Sequence, residues 1–100
     1  MIYLKRGDTG IGIKATLTNE NGNVDLTDAN VLFLFNGDQI NAGMNDETSG
    51  QVFVTFDKRH TEKTGIFDAE FEVTFSDGRV ETYPNDDYLK IHILEDLGGK

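Results

Sequence analysis

A chain of 100 residues with 18 acidic against 9 basic side chains carries a net charge of -9, which repels a phosphate backbone and argues against a nucleic-acid partner. The absence of cysteine removes disulfides and thiolate metal sites, and the length suits one domain burying roughly 65% of its unfolded surface. Apolar residues make up only 37%, but seven Phe and three Tyr concentrate that share in large side chains, which argues against disorder.

The N-terminal run Met1-Ile2-Tyr3-Leu4-Lys5-Arg6 is too short for a signal-peptide core, and no apolar stretch approaches the ~20 residues that span a bilayer. The chain is therefore expected to be made in the cytoplasm and to have no membrane partner. In Gly7-Asp8-Thr9-Gly10-Ile11-Gly12 the glycines are not ordered as G-x-G-x-x-G and no helix follows, so they read as a bend between strands rather than a phosphate cradle.

From Ile11 to Leu17, Ile11, Ile13, Ala15 and Leu17 alternate with Gly12, Lys14 and Thr16, the period of a half-buried strand. The Asn21-Gly22 pair predicts a type I′ hairpin that brings Val24-Asp25-Leu26 back with Leu17 facing Leu26. Val31 to Phe35 is an unbroken apolar run, expected as a central strand buried on both faces. Gln39 to Asn45 reads as a weakly patterned edge strand, Asp46 to Gly50 as a turn, and Gln51 to Phe56 as a strand.

Asp57 to Thr64 has at most a short turn of helix, with Asp57 as its cap and Gly65 just past its end. Phe67, Ala69, Phe71, Val73 and Phe75 then alternate with Asp68, Glu70, Glu72 and Thr74, the longest regular alternation in the chain. Asp77-Gly78 as a two-residue loop would set Phe75 opposite Val80 and Val73 opposite Thr82, leaving Glu72, Thr74, Glu81 and Tyr83 on the outer face. Tyr88 to Ile93 supplies a last strand, and residues 96–100 read as a linker after a domain spanning 1–95.

Strands separated by turn signals every 8 to 12 residues, without a βαβ crossover, predict an immunoglobulin-like antiparallel β-sandwich of about seven to eight strands. The Gly65-Ile66-Phe67-Asp68-Ala69 spacing matches the corner before the sixth strand of that fold, with Phe in place of the usual Tyr.

Catalytic chemistry is hard to find in these residues. Ser49 and Ser76 both fall in turns with no nucleophile elbow around them, and His60 and His92 are isolated, so both histidines are expected on the surface or its rim. Asn19 to Asn23 and Asp86-Asp87 resemble calcium ligands without fitting the D-x-[DN]-x-[DN]-G loop. The acidic residues, among them Asp25, Asp28, Asp46 and Glu47, are spread through turns and strand faces and read as solubilising. No catalytic, cofactor or metal site follows, and the chain is read as a non-enzyme. Among Tyr3, Tyr83 and Tyr88, Tyr83 and Tyr88 are the candidate contacts with a partner protein or a glycan, Tyr83 because the hairpin register turns it outward.

Two stretches carry a family likeness: Val24 to Val31, and Gly65 to Phe75 continuing through Ser76-Asp77-Gly78-Arg79-Val80-Glu81-Thr82-Tyr83-Pro84-Asn85-Asp86-Asp87-Tyr88. Together they resemble the N-terminal domain of phage baseplate upper proteins, from tailed phages and prophages of Gram-positive bacteria. The likeness runs from about Gly7 to Ile93, and its most specific piece is the Asp-Gly hairpin followed by Tyr-Pro-Asn-Asp. Asp28 and Asp87 stand where the family pattern has glycine.

The resemblance implies a structural module that anchors a longer protein to the tail-tip core, with other tail and baseplate proteins as partners, possible oligomerisation within the particle, and no catalytic residues. It further implies a place in the virion tail baseplate. A chain beginning at Met1 and ending at Gly98-Gly99-Lys100 agrees with an N-terminal module cut from something longer. The competing expectation is a carbohydrate-binding module that touches host cell-wall glycans through exposed aromatic rings.

Overall fold

The structure, a computed structural model, describes residues 1–84 and 88–98, apart from the side chain of Ile11. Its strands are β1 (Ile2–Lys5), β2 (Gly10–Thr16), β3 (Thr18–Asn19), β4 (Gly22–Asn23), β5 (Asn30–Phe35), β6 (Asp38–Asn41), β7 (Gly43–Asp46), β8 (Gln51–Phe56), β9 (Gly65–Thr74), β10 (Val80–Tyr83) and β11 (Leu89–Leu94). The larger sheet runs β1-β11-β9-β5-β6, with β10 also on β9; β2-β8-β7 form the smaller sheet, and β3-β4 a short hairpin. The fold is an all-β sandwich.

Period-2 alternation builds the core. Val31, Phe33 and Phe35 of β5, Ala69, Phe71 and Val73 of β9, and Ile91 and Ile93 of β11 point inward from the larger sheet. Ile13 of β2 with Val52, Val54 and Phe56 of β8 answer from the smaller one. Phe33 is the hub, its ring centroid 4.9 Å from Phe71, 6.0 Å from Phe35 and 6.2 Å from Phe56, so it joins the two sheets.

Several expectations are corrected. β5 is buried on one face only: Leu32 and Leu34 are half-buried on the outside, because the larger sheet packs against a partner sheet on one side. The Gln39–Asn45 segment is two edge strands, β6 in the larger sheet and β7 in the smaller, with the chain changing sheets at Ala42. Such interruptions take the strand number to eleven among the described residues, above the seven or eight expected. The sandwich is also not wholly antiparallel, since β1 lies parallel to β11 along its edge. That pairing joins the two ends of the sequence, and Arg6 reinforces it by donating its backbone N–H to Leu94 and lying 3.5 Å from Glu95 and 3.6 Å from Asp96.

Both hairpins form with registers other than those expected. In the first, Asn19 pairs with Gly22 around a Glu20-Asn21 loop, so Leu17 meets Val24 rather than Leu26. A type I′ turn needs positive φ at both central residues, and neither Glu20 nor Asn21 has it. In the second, Phe75 donates its N–H to Arg79 across Ser76-Asp77-Gly78, a three-residue loop with Gly78 at φ +91°. Thr74 therefore pairs with Val80 and Phe71 with Tyr83, one residue out of the expected register, and in a pleated sheet a slip of one turns every side chain to the other face.

Lys58–His60 forms one turn of 3-10 helix after Asp57. The Asp57 N–H donates to His60 Nδ1 at 2.9 Å while the His60 N–H donates to the Asp57 carbonyl at 3.0 Å, a reciprocal cap. This bond draws the imidazole in against Phe56, so His60 is buried and not at the surface or rim as expected. Neighbouring Thr61 is fully buried and donates its hydroxyl to the Asp8 carbonyl, tying this turn to the bend between β1 and β2.

Candidate functional site

The outer face of the larger sheet is built by the residues that alternate with the core. Register places Tyr3 of β1, His92 of β11 and Ile66 of β9 in one row. Tyr3 is 62% and Ile66 58% exposed, and the Tyr3 ring lies 5.6 Å from the His92 ring between centroids. The next rows along β9 are acidic. Asp68 lies opposite Lys90 and pairs with its ammonium, Glu70 lies opposite Leu34, and Glu72 lies between Leu32 and Thr82.

Glu70 and Glu72 are half-buried beside leucines, and among the described residues neither has a cationic partner. A shallow recess of about 210 Å³ opens there, bounded by Leu34, Asn36, Asp68, Glu70 and Tyr88. Tyr88 is 51% exposed and Lys90 Nζ lies 6.0 Å from its ring centroid. The face thus combines exposed apolar groups with unneutralised carboxylates, whereas β2 and β8 of the smaller sheet carry Lys14 as their one charged residue.

Tyr83 is not on this face. The slipped register turns it inward opposite Phe71, leaving it 3% exposed, so the expectation of an exposed ring there is corrected. Its hydroxyl donates to Glu81 Oε2 at 2.5 Å, at the wall of an open polar groove of about 840 Å³ between the β3–β4 hairpin and β10. Several of the groove's polar groups are already engaged within the fold. Asp25 accepts from the hydroxyl and N–H of Thr27, which hold its carboxyl below the usual carboxylate range, and Arg79 bonds Asp77 and Glu81 while its guanidinium stacks 4.6 Å from the Phe75 centroid. Bonds from the Arg79 N–H and side chain likewise lower Asp77.

Burial first, and the Glu81 carboxylate second, push the Tyr83 phenol from 10.0 up to about 12. A raised value means the folded chain holds that proton more tightly than the unfolded one. The associated stability is complete below about pH 10 and is lost as pH climbs to about 12. Phenolate absorbance is therefore expected to show one tyrosine ionising late, and Tyr83→Phe should remove that phase and lessen the loss of stability through the same window. A phase near the ordinary value that Tyr83→Phe removes would contradict the buried placement.

The remaining candidates are spread apart. Ser49 is engaged with Asp46, whose carboxyl the Thr48 and Ser49 hydroxyls lower, and Asn19 caps its own turn by accepting the Asn21 N–H. Asn85, Asp86 and Asp87 lie outside the described residues. Among the described residues no three His, Cys, Asp or Glu side chains gather as a metal-binding group, and no helix is long and apolar enough to cross a membrane.

Sequence reasoning missed the Tyr3–His92–Ile66 row because it left β1 without a partner. The signal present was the alternation of Ile2 and Leu4 with Tyr3 and Lys5, which marks a strand but not its neighbour. Compared with models of known protein families and with curated proteins, the sequence matches none.

Proposed function

We propose that this domain is a non-enzymatic attachment module of a phage or prophage tail baseplate, holding a longer protein to the tail-tip core through the outer face of its larger sheet. The observation that carries the reading is the exposed Tyr3–His92–Ile66 row continuing into the Leu34 and Leu32 rows, a broad side-chain surface on a rigid sheet. Exposed apolar groups gathered on one surface mark interaction sites, and sheet strands hold them in fixed positions. The family likeness supplies the setting.

One departure from the family pattern is consistent with membership. Asp28, standing where glycine is expected, takes φ +58°, the backbone conformation a glycine adopts without steric cost. The bend before β5 thus keeps its shape with a different residue, because aspartate tolerates the left-handed region better than most.

The module is made in the cytoplasm of the bacterial host and becomes part of the virion tail. Mixing it with the tail-core proteins of the same phage, followed by size-exclusion chromatography with light scattering, is expected to yield a stable complex. Failure to bind any of them, as a lone domain and as an enforced oligomer, overturns the reading.

A further inference from the structure

We infer that the outer face of the larger sheet receives a protein surface that brings lysine or arginine side chains set among apolar ones, and that it does not receive a second copy of this chain. The inference rests on the attachment reading and adds the chemistry of the partner. Along β9, Asp68, Glu70 and Glu72 project from alternate positions, about 7 Å apart on one face. Lys90 answers Asp68, but Glu70 and Glu72 stand half-buried against Leu34 and Leu32 with no cation among the described residues.

A docking surface that covered the Tyr3, Ile66 and Leu34 groups would also remove the remaining water from those two carboxylates. Burying an unpaired charge is expensive, and burying it with a well-placed opposite charge offsets the cost. An apolar partner would therefore be rejected, and a partner with cations at the matching spacing accepted. Arginine suits the recess best, because its planar guanidinium can bond Glu70 in a fork while lying against the Tyr88 ring.

The same electrostatics disfavour self-association. A two-fold dimer through this face with its axis at β9 would set one acidic ladder against the other. A head-to-tail contact with the smaller sheet would offer Lys14 as the single cation of β2 and β8 against two unneutralised carboxylates. The net charge of -9 adds long-range repulsion between copies and long-range attraction to a basic partner, speeding encounter.

The test titrates the tail-core proteins with the wild-type domain, Glu70→Lys/Glu72→Lys, Glu70→Gln/Glu72→Gln, and the control Glu47→Lys in an exposed turn, each first checked for an unchanged melting temperature. The lysine pair is expected to weaken binding by at least about 30-fold and the glutamine pair by a smaller factor, while Glu47→Lys stays within about twofold. Raising salt from about 0.1 M to about 1 M, which shortens the screening length from about 10 to about 3 Å, is expected to slow association of the wild type and to slow that of the lysine pair less. Wild-type binding that neither the lysine pair nor salt alters overturns the inference while leaving the attachment reading intact. Absence of wild-type binding overturns both. A dimer in sedimentation that Glu70→Lys/Glu72→Lys dissolves overturns the exclusion of a second copy.

Discussion

Phe33→Ala is expected to destabilise the fold by about 3–5 kcal/mol, the range for emptying a buried aromatic site. Phe33 is fully buried and its ring touches Phe35 and Phe71 in its own sheet and Phe56 in the other. Neighbours anchored in two sheets cannot collapse into the space together, so the cavity term adds to the lost transfer energy. Small domains hold only about 5–15 kcal/mol in total, and for one of this size each kcal/mol moves the melting temperature by about 4–8 °C. Thermal or urea unfolding should place this variant well below the wild type. A loss under about 1 kcal/mol would mean the two sheets are not joined at this ring.

Gly50→Ala is the second large effect, for a different reason. Gly50 has φ +71°, and an added Cβ would lie 2.7 Å from the Leu17 carbonyl oxygen and 2.8 Å from that of Val24. Those oxygens belong to the root of the β3–β4 hairpin, where Leu17 donates its N–H to the Gly50 carbonyl and Val24 donates to Leu17. Backbone cannot swing aside as a flexible side chain can. The left-handed conformation alone costs about 1–2 kcal/mol in a residue with a Cβ, and overpacking typically adds about 1–3. Gly78→Ala is the comparison: its φ of +91° carries the backbone cost, but nothing lies within 4 Å of the new Cβ. Urea denaturation should rank Gly50→Ala well below Gly78→Ala. Equal losses would show that the close approach at Gly50 is absent.

How much of this was legible in the sequence depends on whether the signal was local. The alternation through Phe67, Ala69, Phe71 and Val73 fixed both the existence of β9 and which of its faces is buried, because strand period and burial are the same information there. Asp77-Gly78 marked a hairpin equally well. It did not mark the loop length, since an Asp-Gly pair serves both a two-residue loop and a three-residue loop ending in a left-handed glycine. One residue of difference decided whether Tyr83 faced a partner or the core, and so moved it out of the candidate site.

The parts that were not legible are long-range. Nothing near Ile2 or near Ile91 says that these residues lie side by side in parallel, because that contact is set by how the whole sheet closes. The Tyr3–His92–Ile66 row depends on it: Tyr3 comes from one end of the chain, His92 from the other, and Ile66 from between. The burial of His60 is a middle case. Asp57 was recognisable as a cap, but the reciprocal bond from its N–H to the imidazole, which pulls the ring under, needs the turn already formed.

Nuclear magnetic resonance mapping of the labelled domain against the tail-core partner proposed for it tests the central claim most directly. Shifts and line broadening are expected to cluster at Tyr3, Ile66, Glu70, Glu72 and His92 on the outer face of the larger sheet, with Lys14 and Thr55 on the smaller sheet unmoved. Perturbations confined to the smaller sheet, or to the groove beside Tyr83, would contradict the account.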